Sequence, residues 1–135
     1  MMKLLVSIPC FNEGETIGSI LDRIPERIDG IDVIDRLVVD DGSTDNSRQE
    51  AEKASAFVLS HGQNLGVGTV LRTALDYVVD NHYDILVTID GDGQFDPNDI
   101  EMIVKPILES EADLVLGSRF MKGEQIPDMP KMKYL

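Results

Sequence analysis

Short apolar runs and stretches of helical period alternate along the chain. Lys3 to Ile8 (KLLVSI) ends at Pro9, and Val33 to Val39 (VIDRLVV) ends at Asp40-Asp41-Gly42; each predicts a strand. Ala56 to Leu59, Tyr83 to Ile89 and Asp113 to Leu116 bring the predicted strands to five. Between them, Ile17, Ile20, Leu21, Ile24 and Ile28 share one helical face, as do Val67, Val70, Leu71, Ala74, Leu75 and Val78. Ile100, Ile103, Val104, Ile107 and Leu108 form a third such face, opened by Asp96-Pro97, an N-cap residue followed by a proline in the first turn. Pro25 and Pro106 are expected to kink or end their helices. Thr44 to Ala54 is polar and predicts a helix chiefly through its capping chemistry, with Ser43 or Thr44 as the cap. Strands alternating with helices imply right-handed crossovers, hence an α/β domain with a mostly parallel sheet and helices on both faces.

Composition narrows the partners. The 135 residues suit one domain with a core, and 42% hydrophobic and 27% charged residues are ordinary for a globular chain. Twelve basic against twenty-five acidic residues give a net charge of −13, which argues against a nonspecific grip on nucleic acid. Arg119 onward is the exception, with four basic and two acidic residues. Cys10, the single cysteine, has no internal disulfide partner and reads as a small buried hydrophobe in a reducing compartment. No apolar run reaches the roughly 18 residues a bilayer requires, and MMKLLVSIP is too short for a secretory signal, so a soluble, cytoplasmic chain is expected. Regular patterning stops at Met121, dividing the chain into 1–120 and an irregular 121–135.

In open α/β sheets, ligands bind beyond the carboxyl ends of the strands. The polar residues of this chain gather there: Pro9, Phe11, Asn12 and Glu13 after the first strand, Asp40 and Asp41 after the second, Asp90, Asp92 and Gln94 after the fourth, Ser118 and Arg119 after the fifth. Several carboxylates on one rim need a counter-charge. Asp90-Gly91-Asp92 offers hard oxygen ligands for Mg2+ or Mn2+, and such an ion can take phosphate oxygens in its open positions. The same DGDG reads equally well as a plain turn. Of the two acids at the end of the second strand, Asp41 is the one expected to accept from the N–H edge of a nucleobase, while Asp45 is read as helix-terminal. Taken singly, Glu13 reads as a complement to a helix dipole and Phe11 as core. Gly66-Val67-Gly68 fails as a dinucleotide fingerprint because Leu71 occupies the third glycine position. His61 and His82 lack partners at triad or ligand spacing and are assigned no function.

Two other chemistries fit parts of this pattern. Asp90, Asp92, Gln94, Asp96, Asn98 and Glu101 match the ligand spacing of a calcium-binding EF-hand loop. Phe95 stands where that loop needs glycine, and a strand rather than a helix is predicted before it. A strand followed by Asp-x-Asp also describes aspartyl phosphotransferases, although no matching downstream lysine context is evident.

VSIPCFNE (6–13), VVDDGSTD (38–45), NLGVG (64–68), DGDGQFDP (90–97) and GSRF (117–120), in that order, resemble the family-2 glycosyltransferases of GT-A fold. The branch they are most similar to is that of dolichyl-phosphate mannose synthases and polyprenyl-phosphate sugar synthases. The resemblance implies an inverting hexosyl transfer from a GDP- or UDP-sugar to a polyprenyl phosphate at a membrane surface, and places the full-length protein at its cytoplasmic face. It puts Pro9, Phe11, Glu13, Asp41 and Asp90 around the base and ribose. Asp92, with Asp90 and Gln94, would hold the metal on the diphosphate, and Ser118 and Arg119 would lie near the phosphates, with Asp92 and Arg119 in the catalytic role. Phe11 stands where the family often has Tyr, keeping stacking area without the hydroxyl. A glycan or other hydroxyl acceptor, or a non-catalytic module binding a nucleotide sugar, are the alternatives. The family continues beyond this length on the acceptor side, so the chain is expected to bind nucleotide and turn over poorly.

Overall fold

The computed structural model describes residues 1–115. Four strands, β1 (Lys3–Cys10), β2 (Val33–Asp40), β3 (Phe57–Ser60) and β4 (Ile85–Thr88), form one parallel sheet in the order β3-β2-β1-β4. The central β1 carries Leu4, Leu5, Val6, Ser7 and Ile8 all buried, as a parallel strand covered on both faces must. The predicted fifth strand is absent over residues 113–115, and Leu116 lies outside the described residues.

Four helices alternate with the strands: α1 (Ile17–Arg23), α2 (Ser47–Lys53), α3 (Val67–Asp80) and α4 (Ile100–Leu108), the last preceded by a 3-10 turn at Pro97–Asp99. Strand alternation sends Leu5, Leu37 and Val39 to one face of the sheet, where they form a core with Val70 and Ala74 of α3. Arg36, of opposite parity, reaches the C-terminal end of α1, donating to the carbonyl oxygens of Leu21 and Ile24 at 3.2 and 3.0 Å. The Leu21 carbonyl also accepts from the Ile24 amide at 3.3 Å, so Arg36 adds a second donor there, supplies one to Ile24 just past the helix, and complements the negative end of α1. Burying the apolar side of one such helix removes side chains worth about 1.5–3 kcal/mol each from water; in α1 these are Ile17, Ile20 and Leu21.

Both prolines act near helix ends. α1 stops at Arg23, and Ile24 is extended because Pro25 follows it. α4 runs through Pro106 and ends two residues later, where Glu111 and Ala112 both donate to the Pro106 carbonyl. The helix expected over 44–54 begins later than its polar start suggests. Its N-cap is Asn46, without a side-chain bond, and Asp45 accepts from the Ser47 amide at 2.9 Å. Neither Ser43 nor Thr44 caps it, because both are bonded to Asn12.

Two compact units divide between Glu101 and Met102. The first holds the whole sheet. In the second, α4 continues from Met102 with Val104 fully buried. The expected boundary at Met121 lies outside the described residues. Among the described residues, no helix is long and apolar enough to cross a membrane.

Candidate active site at the carboxyl rim of the sheet

Parallel register brings three loops to one edge. Cys10 pairs with Asp40 and Asp40 with Ser60, so the residues that follow leave the sheet side by side. The ladder extends one step further: the Asp41 amide donates to the Cys10 carbonyl at 2.8 Å, and the His61 amide to the Asp40 carbonyl at 2.9 Å. On the other flank the Ile89 amide donates to the Ser7 carbonyl at 3.1 Å, so β4 delivers Asp90 beside Pro9.

The loops are stitched together by short polar contacts. The Asn12 amide donates to Ser43 Oγ at 2.9 Å, and the Thr44 amide returns a bond to Asn12 Oδ1 at 2.8 Å. Asn12 takes a positive φ of 52°, which Asn tolerates better than most residues. Fully buried Ser47 accepts from the Glu13 amide at 2.8 Å and donates its hydroxyl to Asp45. Gly91 sits so close to β1 that a Cβ there would lie 3.2 Å from the Pro9 carbonyl oxygen and 3.4 Å from Glu13 Cγ.

Between the loops lies a groove of about 360 Å³. Pro9, Phe11, Glu13, Asp41, Asp90 and Asp92 line it, with Asn64, Gly66 and Val67 on the α3 side. Six of the expected site residues therefore converge. Phe11 is 46% exposed, so it presents its ring to solvent and is not core. Gln94 lies outside the groove lining, exposed, and donates its backbone N–H to Asp92 Oδ1 at 3.0 Å. Ser118 and Arg119 lie outside the described residues.

Negative charge accumulates here, and no lysine or arginine is among the described lining residues. Burial pushes the Glu13 carboxyl above its ordinary range, and the nearby charges of Asp92, Asp45 and Asp90 push it further. The donors are hard oxygens, the chemistry that Mg2+ and Mn2+ select. No three His, Cys, Asp or Glu side chains among the described residues form a ready-made metal cage. Asp90 and Asp92 bring such oxygens to the groove, and Mg2+ habitually completes its shell with water and phosphate oxygens.

Asp41 is more occupied than its sequence position suggests. It is 5% exposed, and its Oδ1 accepts from the Leu65 amide at 2.9 Å and faces His61 Nδ1 at 2.8 Å, while Oδ2 accepts from the Gly66 amide at 2.9 Å. Burial raises this carboxyl, but the bonds from His61, Leu65 and Gly66 outweigh it and hold it below the usual carboxylate range. His61, assigned nothing from spacing, is therefore partnered on both sides: its Nε2 lies 2.8 Å from Thr73 Oγ1 on α3. The one signal in the chain was that His61 directly follows a strand on the same rim as Asp41. His82, also assigned no function, is exposed at the loop before β4. The calcium-loop reading is overturned, since β4 leads into Asp90 where an EF-hand needs a helix.

The comparisons with known proteins agree with this architecture. The family model described as Glycosyl transferase family 2 matches residues 5–134. An undecaprenyl-phosphate mannosyltransferase of Micrococcus luteus is 32% identical over 138 residues, covering 96% of this chain and 53% of that protein. A UDP-N-acetylglucosamine–dolichyl-phosphate N-acetylglucosaminyltransferase of Methanococcus voltae is 31% identical, over 93% of this chain and 55% of that protein. Among solved structures, glucosyl-3-phosphoglycerate synthase of Mycobacterium tuberculosis, in complex with Mn2+, UDP-glucose and phosphoglyceric acid, aligns with a TM-score of 0.66 at 31% identity, covering 82% of this chain and 41% of that one. The chain spans about half the length of the curated relatives it matches. Its parallel sheet and flanking helices are those of a GT-A domain, and the chain belongs to glycosyl transferase family 2.

Proposed function

We propose that this chain carries the donor-binding site of an inverting hexosyltransferase that takes a nucleoside-diphosphate sugar in the rim groove and serves a polyprenyl-phosphate acceptor. The observation that carries this reading is the convergence of Phe11, Glu13, Asp41, Asp90 and Asp92, from three separate loops, on one groove. Relatives named for polyprenyl-phosphate transfer support the acceptor, and a neighbour in complex with UDP-glucose and Mn2+ supports the donor.

Each residue has a distinct task. Phe11 offers a half-exposed ring for a base to stack on, and Pro9 lines the same groove from the end of β1. Asp41 accepts from an N–H of the base through whatever capacity its internal bonds leave. Asp90, Asp92 and Gln94 hold Mg2+ or Mn2+, which when bound neutralises charge on the departing diphosphate. Glu13, next to these acids, keeps the local potential negative and so favours a cation at that end of the groove. Ser118 and Arg119 are assigned to the phosphates from the family pattern, with Arg119 as a planar cationic fork. A phosphate acceptor arrives already ionised, so transfer to it needs no strong general base. Such a transferase would then work at the cytoplasmic face of a membrane.

Titration calorimetry of GDP- and UDP-sugars with and without Mn2+ tests the reading. One nucleotide series is expected to bind at least tenfold more tightly with Mn2+, and Asp92→Asn to abolish that gain. Failure of both nucleotides to bind in any condition would refute the donor-site assignment. Hydroxyl or glycan acceptors compete in a transfer assay; preference for them over polyprenyl phosphate would overturn the acceptor part of the reading only.

A further inference from the structure

We infer that His61 is a positioning residue for nucleotide binding, acting through Asp41 and braced from behind by Thr73. This rests on the donor-site reading above and deepens it. The two side chains stand side by side because each directly follows its strand: Asp40 pairs with Ser60, and the His61 amide bonds the Asp40 carbonyl. His61 Nδ1 meets Asp41 Oδ1 at 2.8 Å, and the pair is enclosed, with the side chains 11% and 7% exposed. Nε2 meets Thr73 Oγ1 at 2.8 Å, and Thr73 is itself anchored to the Thr69 carbonyl at 3.0 Å.

The clasp settles which oxygen of Asp41 is available. An ionised carboxylate has about four acceptor sites. Oδ1 spends two, on His61 and the Leu65 amide, whereas Oδ2 spends one, on the Gly66 amide. The remaining capacity sits on Oδ2, in a residue that lines the groove. The same bonds fix Gly66, the N-cap of α3, whose carbonyl accepts from Val70 at 3.1 Å. Val67 and Val70, also groove residues, are placed by that helix start. Without His61, the carboxylate is held by the Leu65 and Gly66 amides alone, and its reading oxygen and the 64–66 turn are fixed less firmly. The loss falls on the base end of the groove. Asp90 and Asp92, held by β4, are untouched.

The test titrates UDP, GDP and inorganic pyrophosphate, each with Mn2+, into the wild-type chain and into His61→Ala, His61→Asn and Thr73→Val. His61→Ala is expected to weaken the nucleotide that binds best by about tenfold, the scale of one lost hydrogen bond to a charged group, and to leave pyrophosphate unchanged. His61→Asn, whose amide can replace the Nδ1 donor, is expected to recover most of the loss, and Thr73→Val to show a smaller one. Amide exchange at Leu65 and Gly66 should quicken in His61→Ala and return in His61→Asn. Equal loss of nucleotide and pyrophosphate, or unchanged nucleotide affinity in a wild type that binds it, overturns the inference alone. A wild type that binds no nucleotide overturns the donor-site reading and this inference with it. Should His61→Ala fail to fold, His61→Asn and Thr73→Val carry the same comparison, and nucleotide affinity unchanged in Thr73→Val with no recovery in His61→Asn counts against it.

Discussion

The hydroxyl of Thr16 donates to the carbonyl oxygen of Gly91 at 2.6 Å, joining the start of α1 to the turn that carries Asp90 and Asp92. Gly91 is buried, with little room for a side chain beside the Pro9 carbonyl, so the turn lies close against β1 where this bond ties it to α1. Arg23, at the end of α1, pairs with Asp96 at 2.9 Å just beyond the turn. That pair is exposed and contributes little by itself; the part-buried Thr16 bond is the one expected to aim the two acids.

Thr16→Val, close in shape but without the hydroxyl, is expected to cost about 1 kcal/mol of stability. Its larger effect should be a several-fold weaker Mn2+-dependent component of nucleotide binding, with metal-free binding unchanged. Calorimetry with and without Mn2+ separates the two, and an equal change in both conditions would contradict the aiming role.

Glu13 links cation binding to pH. Its carboxyl is raised by burial and then by Asp92, so the folded chain holds this proton more tightly than the unfolded one. The associated stability is fully present below the ordinary Glu range and is lost as pH rises through the raised folded value. A cation in the groove favours the ionised form, so apparent Mn2+ affinity should climb with pH across that same interval. Glu13→Gln is expected to flatten the climb and to remove the stability loss; a Mn2+ titration series from acid to neutral pH reads the first, and urea unfolding the second.

The sign is reversed at Asp41. Its folded carboxyl lies below the ordinary range, because the bonds from His61, Leu65 and Gly66 exceed the opposing effect of burial. The stability it contributes is present above the unfolded value of about 3.9 and is lost as pH falls through the lower folded value. Asp41→Asn turns an NH2 toward groups that are themselves donors, and is expected to cost about 1–3 kcal/mol at pH 7. The difference from wild type should shrink in acid. Urea unfolding at pH 7 and near pH 3 measures both; a constant difference would mean that the charge on Asp41 is not what the clasp uses.

Gly42 has no room for a side chain. Its φ is +86°, and a Cβ would lie 2.6 Å from the Gln63 carbonyl carbon and 2.7 Å from the Asn64 amide nitrogen, all backbone. Gly42→Ala therefore combines left-handed strain of about 1–2 kcal/mol with displacement of the 63–64 turn. A loss of at least about 2 kcal/mol in thermal or urea unfolding is expected. An unchanged melting temperature would mean that the turn moves freely.

Periodicity and strand-end chemistry were legible along the chain. The apolar run LLVSI became the covered strand β1, and the three apolar helical faces mark α1, α3 and α4, although Ile24 and Ile28 fall beyond the end of α1 and Leu71 and Leu75 of α3 are exposed. The rim was legible too, since parallel strands place all their carboxyl ends on one side, and Pro9, Phe11, Glu13, Asp41, Asp90 and Asp92 do meet there. Local preference failed where a distant partner competed. Ser43 and Thr44 are good caps, but Asn12 claims both, so α2 starts later. Phe11 looked like core by residue type, yet the backbone leaves the sheet at Cys10 and half exposes the ring.

What tertiary structure alone decided is the difference between neighbouring acids and the use of a histidine. Strand parity turns Asp41 to the α3 side of the sheet, while Asp40 bonds the Ser43 amide and the Ser60 hydroxyl. The pairing of β2 with β3 then sets His61, twenty positions away in the chain, against Asp41. A chain's own alphabet carries the period of its elements and the chemistry at their ends. It does not carry register between strands, and register is what decides which polar groups spend their hydrogen bonds on one another and which remain for a ligand.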